Sequence, residues 1–289
     1  VNASERVSAN GEGTLTGIGG GRIVWRYWTA QDGPLAIVVI AHGFGEHSGR
    51  YVHVAERLAG EGHAVYALDH HGHGRSDGPR GRIRVDDAAE DLDRLAVVAA
   101  GRHPGRPLFL LGHSMGGAVA LRCAIRHQDR LAGLILTSPL AQVDGHGAVK
   151  ALARAIAALA PGLPLAKLDP KLVSRDAAVV QAYIDDPLVL HRPIPAGTVA
   201  QFIALVDSLP SEVGAIKLPT LLMYGTADEL AAPAGSVMIS QRIGSSDLTT
   251  TPYEGLYHEI LNEPEQRQVH DQICGWLQAR IGSTHQSTN

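Results

Sequence analysis

Aromatic side chains make up only 4% of this 289-residue chain, and there are just two cysteines. So few rings provide no platform for stacking nucleobases. A net charge of −4 also denies the chain the positive field that gathers nucleic acid. Cys123 and Cys274 stand far apart in separate helical patterns and outline no disulfide framework. They read as buried free thiols, compatible with a reducing compartment. Long apolar runs are missing too: Leu35–Ala41 falls far short of the roughly 20 residues that span a bilayer. The opening Val1–Thr14 is polar, without the apolar centre of a signal peptide. The expectation is a cytoplasmic protein that meets membranes peripherally, if at all.

Apolar residues at 45% and charged residues at 19% are those of a folded globular protein. Short apolar runs alternate with amphipathic helical stretches. Leu15–Thr29 reads as two strands around a Gly17–Gly21 turn, and Leu35–Ala41, Ala64–Leu68, Leu108–Leu111 and Leu134–Thr137 read as buried strands. Helical patterns separate them, with Tyr51, Val54, Ala55 and Leu58 on one face, then Val85–Ala100, then Gly116–His127. The alternation predicts an α/β fold with a mostly parallel central sheet flanked by helices. It breaks after Ser138-Pro139 and resumes with strands at Pro219–Tyr224 and Leu248–Tyr253. A last helix is expected from Pro264, burying Val269, Ile273 and Trp276, before a frayed tail from Gly282 to Asn289. The division is therefore a core of residues 1–140 and 214–289 and a helical cap of residues 141–213. Within the cap, Val149, Leu152, Ile156 and Leu159 form one stripe, with Lys150 and Arg154 the only charges before Pro161. A helix so apolar either packs against the core or dips into a lipid surface.

Gly112-His113-Ser114-Met115-Gly116 follows the strand Leu108–Leu111 and opens a helix. That is the context of G-x-S-x-G, the nucleophile elbow of α/β-hydrolases. The turn needs glycines flanking the serine because the backbones approach closely. A nucleophilic Ser114 needs a histidine base and an acid to orient it, in the order Ser, Asp or Glu, His. Asp228 lies just past one late strand and His258 just past the next, so both leave the sheet edge that Ser114 leaves. His270 sits within the last helix, His285 in the tail and Asp207 in the insertion, which makes each a weaker candidate. The oxyanion hole is assigned to two backbone N–H groups, Met115 after the nucleophile and Phe44 in His42-Gly43-Phe44-Gly45.

Two clusters read as structural. His70, His71 and His73 follow a buried strand in a glycine-rich loop with no downstream ligand set, so they shape the loop and no metal is expected. Arg75, Arg80, Arg82 and Arg84 alternate with acids as a solvated charged loop, with contact to anionic lipid as the lesser reading.

The chain resembles the monoacylglycerol lipase family of serine hydrolases from about Gly17 to Gly282. The resemblance rests on His42-Gly43-Phe44-Gly45-Glu46-His47-Ser48-Gly49-Arg50-Tyr51, Asp69-His70-His71-Gly72-His73-Gly74-Arg75-Ser76 and the elbow extended to Gly117. It rests as well on Gly225-Thr226-Ala227-Asp228 and Tyr253-Glu254-Gly255-Leu256-Tyr257-His258-Glu259. Asp186-Pro187-Leu188 and Asn262-Glu263-Pro264-Glu265 resemble the actinobacterial, mycobacterial-type members. The resemblance implies hydrolysis of glycerol monoesters of fatty acids without a cofactor, beneath a helical cap that contacts lipid. It further implies Glu46 and Arg50 beside the oxyanion loop, either meeting substrate or pairing with each other, and Tyr183 near the glycerol end. Some relatives carry a second histidine three residues past the catalytic one; here that residue is Leu261. A lysophospholipase, a broad carboxylesterase and a ligand-binding protein that kept the fold without turnover are the alternatives.

Overall fold

Four apolar runs supply the middle of a single eight-stranded sheet. The computed structural model of the chain describes residues 11–29, 33–143, 145 and 147–284. Its strands are β1 Gly11–Thr16, β2 Arg22–Trp28, β3 Ile37–Ala41, β4 Ala64–Leu68, β5 Leu108–His113, β6 Gly133–Thr137, β9 Thr220–Gly225 and β10 Leu248–Tyr253, in the order β1-β2-β4-β3-β5-β6-β9-β10. The pairs β1–β2 and β2–β4 are antiparallel, and every pair from β4 to β10 is parallel. This is the α/β-hydrolase fold.

The inner parallel strands β3, β4, β5, β6 and β9 are buried on both faces, which is why they read as largely apolar runs, whereas the edge strand β10 is partly exposed and rich in threonine. Ile37 and Val39 point to one side, among residues of α2 Val85–Arg102 and α3 Met115–His127. Val38 and Ile40 point to the other, among residues of α1 Val52–Gly60 and α8 Gln266–Thr284. Cys123 and Cys274 are buried on α3 and α8.

Between β6 and β9 the chain leaves the sheet. It forms α4 Gly147–Leu159, α5 Ala177–Asp185 and α6 Ala196–Glu212, with a two-stranded ribbon of β7 Pro164–Ala166 and β8 Ile194–Pro195 that no strand pattern announces. α6 joins the main core through Phe202, Leu205 and Leu209. α4 rests on α6 through buried Ala153, with Lys150 and Arg154 paired to Asp207. Three of the four residues of its apolar stripe face outward, Val149 at 58% exposed, Leu152 at 62% and Leu159 at 90%, while Ile156 is half-buried. Among the described residues no helix is long and apolar enough to cross a membrane.

Some expected bounds change. β1 starts at Gly11, ahead of Leu15, because Gly11 and Gly13 leave room for the rings of Tyr27 and Trp25 on β2. That strand is held by pairing, without an apolar period of its own. A helix α7, Pro233–Arg242, appears where none was expected; it buries only Gly235, Ser236 and Ile239, too faint a period to read. The last helix begins at Gln266, after a turn in which Gln266 N–H donates to Glu263 O, and continues through Gly282 to Thr284. Val1–Asn10 and His285–Asn289 lie outside the described residues.

Candidate active site

Loops from the carboxyl ends of β3, β5, β9 and β10 meet at one edge of the sheet. At the end of β5, Ser114 adopts φ 55°, a left-handed conformation rare for a residue with a side chain. The surroundings hold it there. Its N–H donates to Thr137 O (3.0 Å), and its carbonyl accepts from Leu140 N–H (2.9 Å) and Ala118 N–H (3.2 Å). The flanking glycines are sterically required, since a Cβ at Gly112 would lie 2.4 Å from Gly116 O.

His258 is reached from β10 and Asp228 from β9. The His258 ring lies between its two neighbours, with Nε2 2.8 Å from Ser114 Oγ and Nδ1 2.7 Å from Asp228 Oδ2. Asp228 Oδ1 accepts from Leu230 N–H (2.8 Å) and Ala231 N–H (2.9 Å), so both carboxylate oxygens are engaged. Burial by itself would raise the Asp228 pKa, but His258 and the two backbone donors outweigh it and hold the carboxyl below its usual range. Burial would lower the His258 pKa, and the Asp228 charge and hydrogen bond raise it above the ordinary value instead. His113, its ring 4.8 Å from that of His258, is pushed down to about 3 by burial and by its neighbour, so it stays neutral.

The loop after β3 lies against the nucleophile: a Cβ at Gly43 would come within 3.2 Å of Ser114 Cβ. Met115 is the first residue of α3, where an N–H has no acceptor in its own helix. Phe44 N–H has no protein acceptor among the described residues. Both border a cavity of about 240 Å³ that also touches Ser114 and His258. Its apolar wall includes Leu140, Val143, Leu168, Ile194, Val199 and Phe202. All six lie between β6 and β9, so the inserted segment builds most of that wall.

Glu46 and Tyr183 border the cavity, and Arg50 stands behind them. Glu46 Oε1 accepts from Gly43 N–H (2.6 Å) and Tyr51 OH (2.7 Å), while its Oε2 meets Arg50 Nη1 at 2.9 Å. Arg50 also forks onto Glu259 (2.6 and 2.8 Å), and its guanidinium lies 4.8 Å from the centre of the Tyr183 ring. Glu259 has no expected role in the sequence. It follows His258 directly, but a charged residue reads as exposed until its partner is known, and Arg50 is 209 residues away. The inserted segment is tied to these loops by His47–Asp186 (2.8 Å), Leu190 N–H to Gly45 O (2.6 Å) and Glu259 N–H to Val173 O (2.8 Å).

The histidine loop packs beneath the Phe44 turn. His42 Nδ1 donates to Gly43 O (2.7 Å), its Nε2 accepts from His70 N–H (3.0 Å), and the His42 and His70 rings are 4.5 Å apart. Burial pushes His70 down to about 3 and His73 to about 4, so both are neutral packing rings.

A family model described as serine aminopeptidase, S33, matches residues 32–265. The monoacylglycerol lipase of Mycolicibacterium smegmatis is 41% identical over 279 residues, covering 95% of this chain and 99% of that one. The monoglyceride lipase of Homo sapiens is 34% identical over 268 residues, covering 89% of this chain and 87% of its own. Among solved structures, the monoacylglycerol lipase of Paleococcus ferrophilus superposes with a TM-score of 0.79 at 33% identity, covering 94% of this chain and all of that one.

Proposed function

This chain belongs to the serine aminopeptidase S33 family of α/β-hydrolases, and on that premise we propose that it hydrolyses monoacylglycerols to fatty acid and glycerol. The observation that carries the reading is the unbroken contact from Ser114 Oγ through the His258 ring to Asp228, opening on a largely apolar cavity. Ser114 attacks the ester carbonyl while His258 Nε2 takes its proton. The tetrahedral oxyanion is met by the N–H groups of Phe44 and Met115. His258 then protonates the departing glycerol oxygen and leaves an acyl-enzyme. Water, deprotonated by His258, releases the fatty acid. Asp228 holds the imidazole tautomer and stabilises its cation throughout.

The elements between β6 and β9 act as a cap, with residues 141–213 as the cap and residues 1–140 and 214–289 as the core. The outward stripe of α4 is suited to a lipid surface, where apolar side chains gain by leaving water. The enzyme would be cytoplasmic and meet its substrate peripherally, with two buried thiols at home in a reducing compartment. Peptide hydrolysis, which the family description suggests, is less favoured: the carboxylates of Glu46 and Glu259, which could hold a peptide's amine, are engaged by Arg50.

Purified enzyme should be compared on mono-, di- and triacylglycerol, lysophospholipid and an aminoacyl anilide. Preference for the monoester supports the proposal. Comparable rates on lysophospholipid would replace it with a broader lipid esterase.

A further inference from the structure

Glu46 and Glu259 come from opposite ends of the chain, and a single guanidinium holds both. Their side chains are 4% and 5% exposed, and that of Arg50 is 10%. Ions so buried lose hydration that mutual attraction seldom returns in full, so stability alone is a weak reason to keep them. Their remaining partners indicate what they do. Glu46 grips the peptide of Gly43, one residue before the Phe44 N–H assigned to the oxyanion hole. Glu259 follows His258, receives Asn262 Nδ2–H on Oε2 (2.8 Å), and has its own N–H bonded to Val173 O in the inserted segment. The Tyr183 ring covers the outer face of Arg50.

We propose that Arg50 is a positioning residue which, through Glu46 and Glu259, fixes the oxyanion loop and the His258 loop relative to each other. This rests on the hydrolase reading above. Donors aimed at the oxyanion and the base that serves Ser114 must keep their spacing to within a fraction of an ångström, and these two loops lie on separate strands. Without the fork, the spacing would rest on packing, on the His258–Ser114 contact and on hydrogen bonds that link the two loops only by way of the inserted segment. Arg50 suits the task better than lysine because its planar donors meet two carboxylates in fixed directions. The bridge also places charge near the base. His258 faces Asp228 from the β9 loop, His113 from β5, Glu46 from the β3 loop and Glu259 beside it, and the three acids all favour its cation.

The test uses the full chain, a soluble p-nitrophenyl ester and fluorophosphonate labelling of Ser114. Arg50→Ala should lower kcat about tenfold or more, with KM changed by less than about twofold. Millimolar guanidinium should recover part of the loss. Should Arg50→Ala fail to fold, Arg50→Lys should show a smaller loss of kcat at unchanged KM. Glu259→Gln should move the acid limb of kcat/KM to lower pH. Variants of Arg50 with wild-type kcat, or Glu259→Gln with an unmoved limb, overturn the bridge. If instead Ser114 of the wild type resists the probe and Ser114→Ala stays active, the hydrolase reading itself is wrong.

Discussion

A Cβ placed on Gly116 would lie 2.0 Å from the carbonyl oxygen of Ala41, the last residue of β3. The second glycine of the elbow thus lets α3 start directly beneath the neighbouring strand, which brings Ser114 and the Phe44 loop into one site. Gly116→Ala is expected to cost about 3 kcal/mol, the upper end for overpacking, since a strand backbone and not a mobile side chain must yield. Urea unfolding with Ser114 labelling checks this. Wild-type stability together with wild-type labelling would contradict the close approach.

Asp228 accepts from two backbone N–H groups besides His258, so an amide at this position would change the hydrogen bonding of the ring with little change in shape. Asp228→Asn should lower kcat on the order of 10⁴-fold, and Ser114→Ala should remove the acyl-enzyme altogether. Rapid-quench measurement of a p-nitrophenol burst separates these effects. A full burst in Ser114→Ala would refute the nucleophile.

The pH dependence of rate follows from His258, which must be neutral to accept the Ser114 proton. Its pKa is raised, so the acid limb of kcat/KM should lie above the ordinary histidine value of 6.5. A limb well below 6.5 on a soluble ester would show that Asp228 does not dominate the ring's surroundings.

Stability should behave differently. His70 and His113 are pushed down to about 3 and His73 to about 4, all by burial. A base depressed in the folded state stabilises the fold fully above its unfolded pKa, near 6.5. It loses that contribution as pH falls toward the folded value, because the unfolded chain takes up the proton first. Each such histidine contributes a slope of about 1.4 kcal/mol per pH unit between roughly 6 and 4. Neither ring nitrogen of His70 has a hydrogen-bond partner among the described residues, so His70→Leu should reduce the slope by one proton without breaking a side-chain bond. Urea midpoints from pH 7 to 4 decide the matter, and an unchanged slope would refute the assignment.

On α4, Leu152→Glu and Leu159→Glu should alter stability by less than about 0.5 kcal/mol, since both side chains are already in water. The ratio of activity on vesicle-borne monoacylglycerol to activity on a soluble ester should fall severalfold in each variant. An unchanged ratio and unchanged vesicle flotation would remove the lipid-docking role.

The inner parallel strands are legible because burial on both faces leaves an apolar run that little else imitates, as in Ile37–Ala41 and Leu134–Thr137. Ser114 and Asp228 stand out as candidates because each sits just past such a run, and His258 because chain order restricts the choice of histidine after Asp228. β1 escaped its true start because its glycines serve the rings of β2 and show no period of their own. The ribbon β7–β8 is too short for a pattern to form.

Local patterns of residue type and spacing are enough to specify the sheet, the elbow and the chain order of Ser114, Asp228 and His258. Which way α4 turns its stripe, and what occupies Glu46, Arg50 and Glu259, emerges from contacts between segments far apart in the chain. Periodicity tells which side of a helix is apolar but not what covers it; for α4 that depended on the fit of Ala153 to α6 and the pairing of Lys150 and Arg154 with Asp207. A buried charge needs a partner, and the residue that makes Glu259 tolerable sits across the fold on a different loop.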